Sequence, residues 1–209
     1  MAQLNVGSSM MREFATMTDF RTGTWLNEPR QAERTASGLS VVTDAGGDFW
    51  RETHYGFTRD SGHFLGFETA DGFTAQLRIR AQFEHLYDQA GIMVRIDARH
   101  WIKAGLEYSD GHALLGSVLT DERSDWAAGR FEGDPTDVWM RVSLAAGVLR
   151  VQASTDGTRW PLVRLCPFPV TERYSVGPIC CTPERGGLSV RFSDFTLTKH
   201  LRKDLHDLS

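Results

Sequence analysis

The chain has 209 residues, 41% hydrophobic, 24% charged and 11% aromatic, with 20 glycines and 6 tryptophans. That composition suits a folded protein with ample core material, and roughly 150 residues per domain makes one domain over residues 1–209 the expectation, with its core at about 17–198. The formal charge of −4 offers no basic field for phosphates, which argues against nucleic acid as a partner.

At the start, Met1–Thr16 has neither a basic region followed by an apolar run nor a small-residue cleavage site, so the cytoplasm is the expected compartment. No apolar stretch approaches the roughly 20 residues needed to cross a bilayer, and no membrane association is expected. Met1–Met11 and the tail Lys199–Ser209 are polar and poorly patterned, so loose ends are expected. Between them the dominant period is two. Weaker strands fit Gly38–Thr43, Phe49–Phe57 and His63–Phe67. Phe73, Ala75, Leu77 and Ile79 then alternate with Thr74, Gln76, Arg78 and Arg80, one side apolar and the other wet. Ile92, Val94 and Ile96 alternate with Met93, Arg95 and Asp97; Ile102, Ala104, Leu106 and Tyr108 alternate with Lys103, Gly105 and Glu107. Val118–Thr120 is weaker, while Val138–Leu144 and Leu149–Ser154 alternate cleanly. Trp160–Leu165, Val176–Cys181 and Leu188–Leu197 complete the series. Asp110-Gly111, Ala146-Gly147, Asp156-Gly157 and Gly186-Gly187 supply residues that tolerate positive φ in tight hairpins. Apart from a turn near Phe83–Leu86, no 3.6-residue apolar stripe is sustained. About a dozen short strands separated by turns predict an all-β sandwich of two antiparallel sheets.

One hairpin can be read in register. A loop at Ala98-Arg99-His100 places Ile96 opposite Ile102, Val94 opposite Ala104 and Ile92 opposite Leu106, making one face uniformly apolar. On the other face Arg95 then stands opposite Lys103, a destabilising like-charge pair unless an anion or acidic residue intervenes. Glu107 shares that face but lies four residues along, roughly 13 Å from Lys103. Cations and a carboxylate in a row mark either a ligand floor or a solvated sheet face.

Several segments, taken in order, are similar to a known family. They are Phe49-Trp50-Arg51-Glu52-Thr53-His54-Tyr55-Gly56-Phe57, Asp88-Gln89-Ala90-Gly91-Ile92-Met93-Val94-Arg95 and Trp101-Ile102-Lys103-Ala104-Gly105-Leu106-Glu107-Tyr108. Ser124-Asp125-Trp126, Ser154-Thr155-Asp156-Gly157 with Trp160, and Val176-Gly177-Pro178-Ile179-Cys180-Cys181 continue the match. From about Trp25 to Leu197 the chain resembles a bacterial and fungal domain-of-unknown-function family typified by the fungal regulation-of-enolase protein, within the concanavalin A-like lectin and glucanase superfamily. The resemblance implies a jelly-roll topology with one curved sheet, and ligands across its concave face.

Carried onto this chain, that implication makes Arg95, Lys103 and Glu107 of the central strands, with Glu52 and His54, the candidate floor. In Phe49–Phe57, Phe49, Arg51, Thr53, Tyr55 and Phe57 are expected to pack the core, leaving Trp50, Glu52, His54 and Gly56 toward the cleft. His54 is either a buried, hydrogen-bonded histidine or a ligand contact. Ser124-Asp125-Trp126 either forms a rim where an indole stacks on a sugar, or caps a turn and covers the sandwich edge. Trp160 is expected in the core, and Pro183–Gly187 is a second rim candidate. The Glu-x-Asp-x-Glu pattern of the superfamily's glucanases is absent, so catalytic residues stay unassigned; Glu52 and Glu107 would have to meet across neighbouring strands to act as acid and base.

Scattered histidines without zinc spacing, and aspartates at turns without a cluster, predict no metal, and no cofactor motif is present. Cys166, Cys180 and Cys181 are expected as buried free thiols, since a disulfide between adjacent residues is strained. The leading expectation is therefore a carbohydrate- or small-anion-binding module, its ligand a sugar or sugar phosphate. A glycoside hydrolase or lyase and a regulatory protein-interaction scaffold are the alternatives, and open sheet edges allow a homodimer.

Overall fold

A computed structural model describes residues 16–209; the expectation for Met1–Met11 lies outside them. After one turn of 3-10 helix at Phe20–Thr22, every element is a strand. In chain order they are β1 (Thr24–Leu26), β2 (Gln31–Arg34), β3 (Gly38–Val42), β4 (Phe49–Arg51), β5 (Thr58–Asp60) and β6 (His63–Thr69). Next come β7 (Phe73–Ala81), β8 (Gln89–Arg95), β9 (His100–Ser109), β10 (His112–Asp121), β11 (Arg123–Ser124) and β12 (Ala127–Arg130). The last are β13 (Asp137–Ala145), β14 (Val148–Ser154), β15 (Leu162–Pro167), β16 (Tyr174–Cys181) and β17 (Ser189–Lys199).

Two antiparallel sheets form a jelly-roll sandwich. One runs β1-β6-β16-β8-β9-β10-β11, with β12 also on β10; the other runs β15-β14-β13-β7-β17-β3-β2. Strands distant in sequence pair in both, β6 with β16 and β7 with β17. Period-two alternation explains the packing: Leu77, Ile79, Val142, Ile92, Val94 and Leu106 are almost wholly buried between the sheets. Each such side chain contributes about 1.5–3 kcal/mol by leaving water. Tight hairpins close where the sequence placed them, with φ of 54° and 81° at Asp110-Gly111 and 49° and 75° at Ala146-Gly147.

The β8–β9 register is displaced by two residues from the sequence reading. Arg95 pairs with Trp101, Val94 with Ile102, Ile92 with Ala104 and Met93 with Lys103, so Arg95 is not opposite Lys103. The loop keeps three residues but starts one earlier, at Asp97-Ala98-Arg99, closed by Ile96 N donating to His100 O (2.9 Å), because the Asp97 carboxylate accepts from the backbone N–H of Arg99 (2.7 Å) and of His100 (2.9 Å). A shift of two preserves parity, so the apolar and polar faces stand as assigned.

Phe49–Phe57 is not one strand. It splits into β4 and a coiled turn leading to β5, and the β4–β5 hairpin lies on the outer face of the eight-stranded sheet. There Phe49, Trp50, Phe64, Met93, Trp101 and Ile179 belong to a second buried cluster. Half of that sheet is thus packed on both faces, which is why Met93, expected on the wet side, is fully buried.

The tail is docked rather than loose. Trp160 N donates to Leu208 O (2.8 Å) and Arg150 donates to Asp204 O (3.0 Å). Arg141 donates to Ser209 O (3.2 Å) while its guanidinium lies 3.8 Å over the Trp160 ring, so Trp160 is buried beneath the tail.

Candidate functional site

Where the β4–β5 hairpin stops short, a hollow of about 150 Å³ remains on the outer face of the eight-stranded sheet. Its floor begins with glycines. Gly91, Gly105 and Gly116 stand side by side on β8, β9 and β10, and a row without side chains leaves a pit between Lys103 and Glu107. A Cβ on Gly105 would come within 2.2 Å of Ala90 O, so the floor there is backbone against backbone. The pit and the larger hollow share Gln89, Lys103, Glu107, Val118 and Trp126.

Lys103 is buried, its ammonium donating to Asp48 Oδ1 (3.1 Å) and Gln89 Oε1 (2.8 Å). Burial is the largest single influence and opposes its charge, but the Asp48 carboxylate, with smaller help from Cys181 and Glu107, holds the ammonium pKa above its ordinary value. Glu107 is the opposite case. Its carboxyl has no hydrogen-bond partner among the described residues, and burial pushes its pKa up to about 7. Lys103 pulls that value down and Asp48 pushes it up, both less than burial does. A carboxyl shifted by burial and facing a cavity marks a candidate site.

Aromatic side chains wall the hollow. Trp50, Tyr55 and Phe57 come from the hairpin: Trp50 meets Tyr55 edge-on at 5.6 Å, and Tyr55 stacks on Phe57 at 5.5 Å. Left-handed backbone at Glu52 (φ 61°), His54 (φ 62°) and Gly56 (φ 72°) coils the turn and brings Tyr55 and Phe57 to the wall. Tyr87 arrives from the loop before β8 with φ of 61°, a costly conformation for so large a residue. Asp88, fully buried, anchors that loop by accepting from the Glu84 and His85 N–H groups and from Arg185. The Tyr55 and Tyr87 hydroxyls meet at 3.0 Å, and the Tyr87 phenol is pushed up to about 12, chiefly by that hydrogen bond and by burial. Trp126 closes the opposite rim, 42% exposed.

Of the predicted site residues, the structure gathers Lys103, Glu107 and Trp126. Arg95 lies elsewhere on the same face, clamped to Asp60 by two 2.8 Å hydrogen bonds under the hairpin. Glu52 and His54 are exposed in the turn, Glu52 paired with Arg123, because the backbone reverses where a strand was expected. The proposed Glu52–Glu107 acid–base pair is therefore not assembled in the hollow. Ser124 is buried and structural: it accepts from Arg51 N (2.9 Å) and bonds Thr120 (2.7 Å), tying the hairpin to β10. Pro183 and Glu184 do reach the rim. The sequence reading missed Asp48, Gln89, Tyr55 and Tyr87; the only signal for the pit was an isolated glycine inside each of three strands.

Among the described residues no group of three or more His, Cys, Asp or Glu side chains could hold a metal ion, and no helix is long and apolar enough to cross a membrane. The three cysteines are free and buried.

Residues 25–200 match the family described as Protein of unknown function (DUF1349). The chain belongs to that family. It is 58% identical over 192 residues to Regulation of enolase protein 1 of Saccharomyces cerevisiae, covering 92% of this chain and 97% of that protein. A crystal structure described as a functionally unknown protein from Saccharomyces cerevisiae has a TM-score of 0.86 at 58% identity, over 88% of this chain and 100% of that one. The DUF1349 sandwich also resembles part of larger enzymes. A xylan beta-1,4-xylosidase from Bacillus halodurans C-125 has a TM-score of 0.61 at 12% identity, over 87% of this chain and 38% of that chain. A GH43 protein from Bacillus licheniformis has 0.60 at 14% identity, over 88% and 39%. Those two likenesses concern the fold alone.

Proposed function

We propose that this protein binds a small saccharide in the hollow between the β4–β5 hairpin and the outer face of the eight-stranded sheet. The observation that carries this reading is the pairing of an unpartnered, desolvated Glu107 carboxyl with aromatic walls at Trp50, Tyr55, Phe57 and Trp126. Sugar rings present apolar C–H faces that stack on aromatics and hydroxyls that satisfy buried polar groups. A sugar phosphate fits less well, since Lys103 is committed to Asp48 and Gln89 and leaves no free cation on the floor. The solved neighbours named as xylan-directed make xylo-oligosaccharides sensible probes alongside monosaccharides.

Binding without turnover agrees better with the site than hydrolysis does, because Glu52 is not in it. A sugar-responsive binding protein would also agree with the yeast relative's name, which refers to regulation. Calorimetry and indole chemical-shift titration against monosaccharides and xylo-oligosaccharides test the reading. Binding should shift the Trp126 indole signal, and Trp126→Ala should weaken affinity at least tenfold. Saturable binding that leaves Trp126 unshifted and survives its removal would overturn the placement.

A further inference from the structure

The hollow is fitted for more than a neutral ring. We infer that its preferred occupant carries a protonated amine seated against Glu107 and the surrounding aromatic faces, an amino sugar rather than a neutral one. This rests on the saccharide reading above and adds a charge to the ligand.

Three observations lead there. The first is the charge balance. The carboxylates of Asp48, Glu107 and Glu184 line the hollow against only two cations, Lys103 and Arg59. With Glu107 ionised, a ligand with one positive charge would bring the lining to neutrality; an anion would worsen the imbalance. The second is that both cations are engaged. Lys103 is held by Asp48 and Gln89, and the Arg59 guanidinium lies 4.6 Å over the Phe57 ring. Neither turns to Glu107 without leaving a partner exposed to loss. The third is the wall itself. Trp50, Tyr55, Tyr87 and Trp126 line the same space, and aromatic faces attract cations, as Arg59 on Phe57 already shows.

Of these carboxyls Asp48 is held by Lys103 and Glu184 is exposed at the rim, while Glu107 is the half-buried one with no hydrogen-bond partner among the described residues. Across the sheet it stands beside Gln89 on β8 and Leu114 on β10, with Arg130 beyond Leu114 on β12, so no cation is adjacent in its own row. The Tyr55 and Tyr87 hydroxyls spend themselves on each other at 3.0 Å. A neutral hydroxyl would donate one hydrogen bond to Glu107 and add no charge to the partial compensation that Lys103 already gives it. An ammonium supplies three donors and the charge.

The test is calorimetric, on the full chain, with matched pairs: glucosamine, galactosamine and mannosamine against the parent hexoses and the N-acetylated forms, plus choline and xylo-oligosaccharides. At pH 7 at least one amino sugar should bind tenfold or more tighter than both its neutral partners. With Glu107 titrating near 7, its ionised fraction rises from about 3% at pH 5.5 to about half at pH 7, so amine affinity should rise roughly 15-fold over that range. The amine itself stays largely protonated across it. Glu107→Gln should bring the amino sugar down to the affinity of its neutral partner and flatten the profile; the wild-type profile stands as the test should that variant fail to fold.

A neutral sugar binding as tightly as its amino counterpart, with no pH dependence, overturns the amine and leaves the saccharide reading intact. Choline binding as tightly as the best amino sugar keeps the cation and overturns the sugar. No binding by any probe at millimolar concentration overturns both.

Discussion

Replacing Glu107 by Gln removes a carboxyl whose ionisation the fold opposes, and the consequence for stability has a definite sign. In the folded protein this group releases its proton near 7, in the unfolded chain near 4.5. Below 4.5 both states keep the proton and the group is neutral in its effect. Between 4.5 and 7 the unfolded chain has lost the proton and the folded one retains it, so stability falls as pH rises. Above about 8 both are ionised and the full difference, about 3 kcal/mol as an upper bound, works against the fold. Glutamine keeps the shape without the charge. Glu107→Gln should therefore match wild type near pH 4.5 and exceed it by about 2–3 kcal/mol at pH 8.5, or about 6–10 °C in Tm for a chain of this length. Urea denaturation of both proteins at pH 4.5, 6, 7 and 8.5 measures it. A stability difference constant across that range would show that Glu107 is as well solvated as a surface glutamate, and the pH dependence expected of amine binding would be lost with it.

Three further substitutions separate the roles of the polar groups. Lys103→Met strips Asp48 of its buried partner and should cost about 3–5 kcal/mol in urea denaturation, while adding Asp48→Asn should restore at least half of that. Arg95→Ala breaks a clamp in which the arginine side chain is only 11% exposed; about 2–4 kcal/mol of stability should be lost by the same assay, with sugar affinity unchanged within about twofold. Gly116→Ala adds a methyl 3.5 Å from Ala127 O and 3.8 Å from Trp126 Nε1, ordinary contacts that should leave Tm within about 2 °C, yet the methyl enters the pit and should weaken sugar binding about tenfold by calorimetry.

Alternation made the sandwich legible because each sheet buries one face, and a face either is apolar at every second residue or is not. It found β7, β9, β13 and β14 nearly whole and put Lys103 and Glu107 on one side of β9. It could not find the hairpin on that side. Phe49–Phe57 alternates well enough for a strand; what breaks it is left-handed backbone at Glu52 and His54, two residue types that do not announce such a conformation. A different local effect displaced the β8–β9 register: the Asp97 carboxylate takes the Arg99 and His100 N–H groups and so makes Asp97 the first residue of the loop. Arg95 was consequently placed in the ligand floor when its true partner, Asp60, belongs to the unforeseen hairpin. For Trp126 the sequence offers a rim or an edge cover, and the structure sets it at the edge of the hollow, whereas alternation puts Tyr55 on the core side of a strand and Tyr87 lies just past the turn near Phe83–Leu86.

The hairpin is what turns a sheet face into a site. An outer sheet face lined with Lys103, Gln89 and Glu107 alone would be wet, and its charges worth little. Phe49 and Trp50 settle onto Met93, Trp101 and Ile179 and expel water from the upper half of that face, so Lys103 must be paired there and Asp48 is delivered by the same segment to pair it. Glu107 lies just beyond the edge of the cover, close enough to be desolvated and too far along β9 to share in the pairing. The strain at Glu52, His54 and Tyr87 is sustainable because the inter-sheet core carries the fold without them. A half-buried carboxyl with no hydrogen-bond partner among the described residues, at the edge of a second core and beside Tyr87 in its left-handed conformation, is the feature on which the proposed binding function stands.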